Sequence, residues 1–148
     1  MLDFECKSLQ KVPLFQDIDA RSLQLIAFAA SRVSFQPGEM VFENGGDGDA
    51  VYIVVDGEVD SFVLRPDGQD LRLSRFGPGR SFGEISVLND ADRSISVRAV
   101  TQASLLQISK TDFLELTREI PQFSLAVMRD LARRLSIMIQ RYAEQPPA

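Results

Sequence analysis

Between Val33 and Ile108 the chain is cut into short apolar runs by turns rich in glycine and proline. VSF ends at Pro37-Gly38, MVF at the loop NGGDGD, AVYIVVDG at Asp56-Gly57, and EVDSFVL at Pro66-Asp67-Gly68. DLRLSRF leads to Gly77-Pro78-Gly79, and SISVRAV and ASLLQIS complete the series. Runs this short and this β-branched suit strands, and Asp-Gly between two of them favours a tight hairpin. The alternation in DLRLSRF predicts one buried and one solvated face. So many punctuated strands leave few architectures: a small β-barrel or a double-sheet jelly roll.

The flanks change period. In DARSLQLIAFAA, Leu23, Ile26, Ala27 and Ala30 fall at helical spacing, with Asp19 as an N-cap whose carboxylate accepts an orphan amide. Leu14, Phe15 and Ile18 form an apolar cluster ahead of it, read as a further helical turn after Pro13. Ser109 to Asp112 fits a capping box, weak in its reciprocal half because Asp stands where Glu or Gln is usual. Phe113, Leu114 and Leu116 give that helix an apolar side, and Pro121 suits the first turn of a longer helix reaching about Tyr142. There Met128, Leu131, Leu135, Met138 and Tyr142 are spaced three, four, three, four, as in a heptad seam. The seam either packs on the barrel of its own subunit or meets a second helix. Val127, Ile137 and Ile139 widen the apolar surface beyond one stripe, which favours self-association. The fold class expected is mainly β with flanking helices: a jelly-roll barrel over about 33–108, helices over about 110–142, and one domain over 1–148.

Composition narrows the function. The 148 residues hold no histidine, which removes histidine bases, histidine triads and the commonest zinc ligand. The one cysteine, Cys6, has no partner for an intrachain disulfide and reads as an ordinary N-terminal residue. A net charge of -5 without a basic run argues against nonspecific nucleic-acid binding. The start MLDFECKSLQ is not a signal peptide, no apolar stretch is long enough for a membrane span, and the polar tail EQPPA is expected to fray. A cytoplasmic protein without membrane insertion is the expectation.

The densest chemical signal is FGEISVLNDADRSISVRA, Phe82 to Ala99. Gly83 permits a close backbone approach or a special turn, Glu84 follows at once, and Ile85 to Leu88 can form one helical turn with outward amides. Arg93 comes nine residues after Glu84, followed by Ser94 and Ile95. Amides and a guanidinium together can hold one phosphate. A carboxylate beside them cannot, but it can accept from a sugar hydroxyl. A surface Glu–Arg ion pair on a loop explains the same residues equally well.

The same segment resembles the phosphate-binding cassette of the cyclic nucleotide-binding domain family: F-G-E, an apolar stretch and loop, then R-[ST]-A-x-V. Phe82-Gly83-Glu84, Arg93, Ser94 and Val97 carry the likeness. Phe35 to Glu39, Gly45 to Asp49 and Tyr52 to Val59 resemble the family's earlier turns and strand, and the likeness spans roughly residues 12 to 142. It implies a non-catalytic sensor of cyclic AMP or cyclic GMP, with no enzyme cofactor and no metal. Arg93 would pair with the cyclic phosphate and Glu84 would accept from the ribose 2′-hydroxyl. Ser94 would help hold the phosphate or touch the base, and Gly83 with the backbone of Ile85 and Ser86 would line the ribose-phosphate side. Phe82 belongs to the motif itself.

Several positions depart from the family. Ile95 replaces the usual Ala, which narrows the pocket or faces the core, and Asp92 replaces a common Pro and is expected to face water. Where the bacterial activators of the family read adenine with a Thr-Ser pair, this chain has Met138 and Ile139. Arg134, one turn earlier, could reach the base instead, although Arg133 and Arg134 also read as a solvated face. The chain leaves no room for a helix-turn-helix after its long helix, so direct DNA binding is not expected. Three readings follow: a ligand sensor acting through a second copy or an unidentified partner; a ligand-independent interaction module on the same fold; and a cupin-like enzyme, disfavoured because such barrels hold metal through histidines.

Overall fold

A computed structural model describes residues 7–145; Cys6 and the last three residues of the tail lie outside that range. Residues 7–10 are helical, and a 3-10 turn at Pro13–Phe15 precedes helix α1, Ala20–Ala29. Eight strands follow: β1 Ala30–Phe35, β2 Met40–Phe42, β3 Ala50–Asp56, β4 Val59–Leu64, β5 Asp70–Phe76, β6 Ser81–Phe82, β7 Ser96–Ala99 and β8 Ala103–Ser109. The five-residue helix α2, Glu84–Leu88, sits between β6 and β7, and α3, Lys110–Glu119, and α4, Pro121–Glu144, close the chain. The strands form two four-stranded antiparallel sheets, β1-β8-β3-β6 and β2-β7-β4-β5. This is the double-sheet jelly roll read from the turns; the two sheets are not hydrogen-bonded into a closed barrel.

β3 explains how the layers stack. Its first five residues are all buried, because both faces of the strand are covered. Val51 and Ile53 join Leu106 and Ile108 of β8 beneath the helices, against Phe15, Ile26, Phe113, Phe123 and Val127. Ala50, Tyr52 and Val54 point the other way, into a core between the sheets with Val59, Phe82, Val97 and Leu105. The period of two thus divides one apolar run between two cores.

Several local expectations need correction. Asp19 occupies the N-cap position of α1 but makes no capping hydrogen bond through its side chain. Ser109 does cap, its Oγ accepting from the Asp112 amide at 3.2 Å. β5 is exposed along most of its length instead of alternating, with Leu71 and Leu73 each 41% exposed. It is an edge strand paired only to β4, and a bulge between Ser61 and Phe62 breaks the register that would carry an alternating face inward. Among the described residues, the seam on α4 packs on its own subunit only at Leu131. Phe123 and Val127 are buried and Leu131 is partly so, but Met128, Leu135, Met138 and Tyr142 are exposed, as is every residue from 135 to 145. Among the described residues no helix is long and apolar enough to cross a membrane.

Candidate functional site

The turn from β6 into α2 builds the centre of the cassette. Gly83 takes φ 92°, in the left-handed region, as the N-cap of α2. A Cβ there would stand 3.0 Å from Arg93 Nη1 and 3.1 Å from Ala50 O, so both backbone and space call for glycine. Glu84 then enters the helix at 2% exposure and Arg93, beyond the loop, is also 2% exposed, which rules out the surface ion pair on a loop.

The two charged groups have different partners. Arg93 Nη1 donates to Gly83 O at 2.9 Å and Ser86 Oγ at 2.7 Å, and Nη2 donates to Ala50 O at 2.5 Å. Asp49 Oδ1 lies 3.8 Å from Nη2, and the guanidinium rests 3.9 Å from the centre of the Phe42 ring. Burial pushes the Arg93 pKa below its ordinary value, while Tyr52, Asp49 and Glu84 pull it back up. Burial also pushes the Tyr52 hydroxyl upward, with Asp49 adding to it. Glu84 Oε2 accepts from Ser81 Oγ at 2.7 Å and lies 3.6 Å from Arg134 Nη2. Four buried polar atoms have no hydrogen-bond partner among the described residues: Glu84 Oε1 and Arg93 Nε in the cassette, and Asp130 Oδ2 and Arg134 Nε on α4.

The remaining candidates scatter. Phe82 stacks on Tyr52, ring centres 5.3 Å apart, and belongs to the core between the sheets. Ser86 contributes its hydroxyl and not only its backbone, whereas the Ile85 side chain is 58% exposed. Ser94 and Asp92 are exposed, and Ile95 packs against the intersheet core. Arg134 turns inward to Ser81 and Glu84, while Arg133 is solvated. Met138 is exposed on the far part of α4. A surface pocket of about 410 Å³ is not this site. It lies outside the cassette loop, lined by Asp47, Asp49, Asp90 and Asp92 with Lys110 and Thr111, and no group of acids there is arranged to hold a metal ion.

The sequence profile of the cyclic nucleotide-binding domain matches residues 32–119, more than half of the chain. The chain belongs to the cyclic nucleotide-binding domain family. It is 35% identical over 123 residues to the cyclic AMP receptor protein of Thermus thermophilus, a match covering 83% of this chain and 57% of that relative. The crystal structure of the Thermus thermophilus catabolite activator protein superposes with a TM-score of 0.80 at 33% identity, over 88% of this chain and 62% of that one. The regulatory domain of Toxoplasma gondii protein kinase A, crystallised with cyclic AMP, shares the fold at 21% identity and a TM-score of 0.78, over 91% of this chain and 49% of that one. The chain thus spans a little over half the length of its curated bacterial relative. The family is a regulatory, ligand-binding one.

Within this cyclic nucleotide-binding domain, sequence reading missed Ser81, Phe42, Asp49 and Asp130. Ser81 immediately precedes the motif, Phe42 and Asp49 approach Arg93 from earlier strands and loops, and Asp130 meets Arg134 on α4. Two have a visible signal: Asp49 in the loop that resembles the family's, and Asp130 four residues before Arg134 on one helix.

Proposed function

We propose that this chain is a non-catalytic sensor that takes cyclic AMP or cyclic GMP between Glu84 and Arg93 and passes the binding event to α4. The observation that carries the reading is that two of the four unpaired buried atoms belong to the cassette and are opposite in kind: Glu84 Oε1 is an acceptor and Arg93 Nε a donor. An unpaired buried polar group costs about 1–3 kcal/mol, more when it is charged. A ribose hydroxyl can donate to the first and a phosphate oxygen can accept from the second, so the residues present fit a cyclic nucleotide. Gly83 and the backbone of Ile85 and Ser86 line that side, Ser94 offers a hydroxyl at the rim, and Arg134 and Met138 are the candidates on α4 for the base edge. Phe82 and Ile95 shape the wall from within the core.

Transmission follows from linkage: a ligand that binds one placement of α4 better than another shifts their populations. The output goes to a second copy through the exposed seam of α4, or to another protein. Residues 1–148 act as one sensor domain, in the cytoplasm, without nucleic acid or membrane insertion. A ligand-independent interaction module is the second reading. It is favoured by one fact: both terminal nitrogens of Arg93 are already engaged by protein acceptors.

Calorimetric titration with both nucleotides separates the two. Wild type should bind one of them at micromolar concentration or tighter. Arg93→Ala should lose roughly a hundredfold or more in affinity, as expected when a charged partner of a phosphate is removed. Because Arg93 also bonds Ala50, Gly83 and Ser86, folding of the variant is checked by circular dichroism, and Arg93→Lys serves as the charge-preserving companion. Folded, nucleotide-free wild type that gives no heat at millimolar nucleotide would favour the interaction module.

A further inference from the structure

One side chain carries α4 to the cassette. Arg134 Nη2 donates to Ser81 O, and it lies 3.3 Å from Ser81 Oγ, 3.6 Å from Glu84 Oε2 and 2.7 Å from Asp130 Oδ2. Asp130 is one helical turn ahead of Arg134, the order in which an acid and a base support each other on a helix. The Arg134 and Asp130 side chains are only 21% and 19% exposed, so water and salt screen this pair less than a surface pair. Ser81 Oγ donates to Glu84 Oε2 and stands between carboxylate and guanidinium. Neither Asp130 nor Ser81 has a part in the cassette roles described above.

We propose that Asp130, acting with Ser81, is a positioning residue of the Glu84 site. It holds the Arg134 guanidinium against Glu84 Oε2, so that Oε1 is the carboxylate oxygen left for a ligand hydroxyl. The inference rests on the sensor reading. A carboxylate as buried as Glu84 needs a cation close by. Arginine has many rotamers, and freezing it beside Glu84 costs entropy that an anchor must offset. Asp130 is that anchor. Without it, Arg134 keeps Ser81 and the Phe76 ring as partners but loses its acidic neighbour on the helix, and its guanidinium is less firmly fixed beside Glu84. Arg133 lies 3.7 Å from the same Asp130 but is 67% exposed, which makes it the matched control.

The test compares affinities for cyclic AMP, cyclic GMP and their 2′-deoxy analogues. The proteins are wild type, Asp130→Asn, Asp130→Glu, Ser81→Ala and Arg133→Gln. Asp130→Asn and Ser81→Ala should each reduce the preference for the ribose form over the deoxy form by about fivefold, in the range for losing one partly buried charged contact. Asp130→Glu should restore most of that preference, and Arg133→Gln should leave it unchanged. A merely structural role weakens both forms alike and leaves their ratio intact; that result overturns the proposal while leaving the sensor reading in place. Wild type that binds no cyclic nucleotide overturns both. If Asp130→Asn does not fold, Ser81→Ala and its ratio decide the matter alone.

Discussion

Glu84 and Arg93 are nine residues apart in sequence and nearly inaccessible, yet each is held by different groups. Arg93 is held by two carbonyls, a serine hydroxyl and an aromatic face, whereas Glu84 is held by Ser81 and Arg134. Away from the site, the Arg75 fork grips Asp60 across β4 and β5 at 2.7 and 3.0 Å. That hydrogen bonding holds the Asp60 carboxyl below its ordinary range. A pKa depressed in the folded state gives stability that is present above the unfolded value, about 3.9, and is lost as pH falls through the folded value. Asp60→Asn should therefore lower the melting temperature near neutral pH, and the gap to wild type should close as the pH falls below the ordinary carboxylate range. Melting curves across that range check it; a gap that stays constant would mean the pair is not linked to protonation. The residues that the structure brings together in the cassette were legible because they are close in sequence: Gly83, Glu84 and Arg93 sit in one motif, whereas Ser94 is exposed. Ser81 and Phe42 were not, since a hydroxyl and a ring acquire their roles only when β6, β2 and the cassette meet.

Among the elements, α4 divides at Arg134. Its first half is amphipathic in the ordinary way, burying Phe123 and Val127 under the sheet, and its second half is exposed and has no cover from the described residues. A helix segment of that length is marginal in water without tertiary contacts. The seam spacing was legible in the sequence, but the surface it faces was not: periodicity says which residues share a face and is silent on where the barrel ends. β5 failed for a related reason. Its alternating pattern is real, yet an edge position and a bulge leave both faces open. The strands that were read well are those with both faces covered, β3 above all. If the exposed part of α4 is an interface with a second copy, Leu135→Asp with Met138→Asp should convert a dimer to a monomer in sedimentation at micromolar concentration, with the melting of the barrel core retained. Wild type that sediments as a monomer, with and without nucleotide, would contradict self-association.

In the whole molecule, two cores share one sheet. The helices pack on the outer face of β3 and β8, and the cassette closes the inner one with Phe82 and Tyr52. Arg134 and Ser81 join the two sides, so a ligand at Glu84 would act on the helix layer through a contact of a few ångströms. Small differences in binding between two helix placements are enough for a switch, since every 1.4 kcal/mol or so is tenfold in population. The jelly roll was legible in the sequence because glycine and proline mark each turn; the coupling was not, because it runs through residues more than 50 positions apart, as Ser81 and Arg134 are. The most direct measurement is a crystal structure of the chain with the cyclic nucleotide it binds more tightly. The account predicts the phosphate within hydrogen-bond distance of Arg93 and the ribose 2′-hydroxyl on Glu84 Oε1. A nucleotide seated elsewhere, or a cassette left empty with Arg93 still held only by Gly83, Ser86 and Ala50 at saturating ligand, would contradict it.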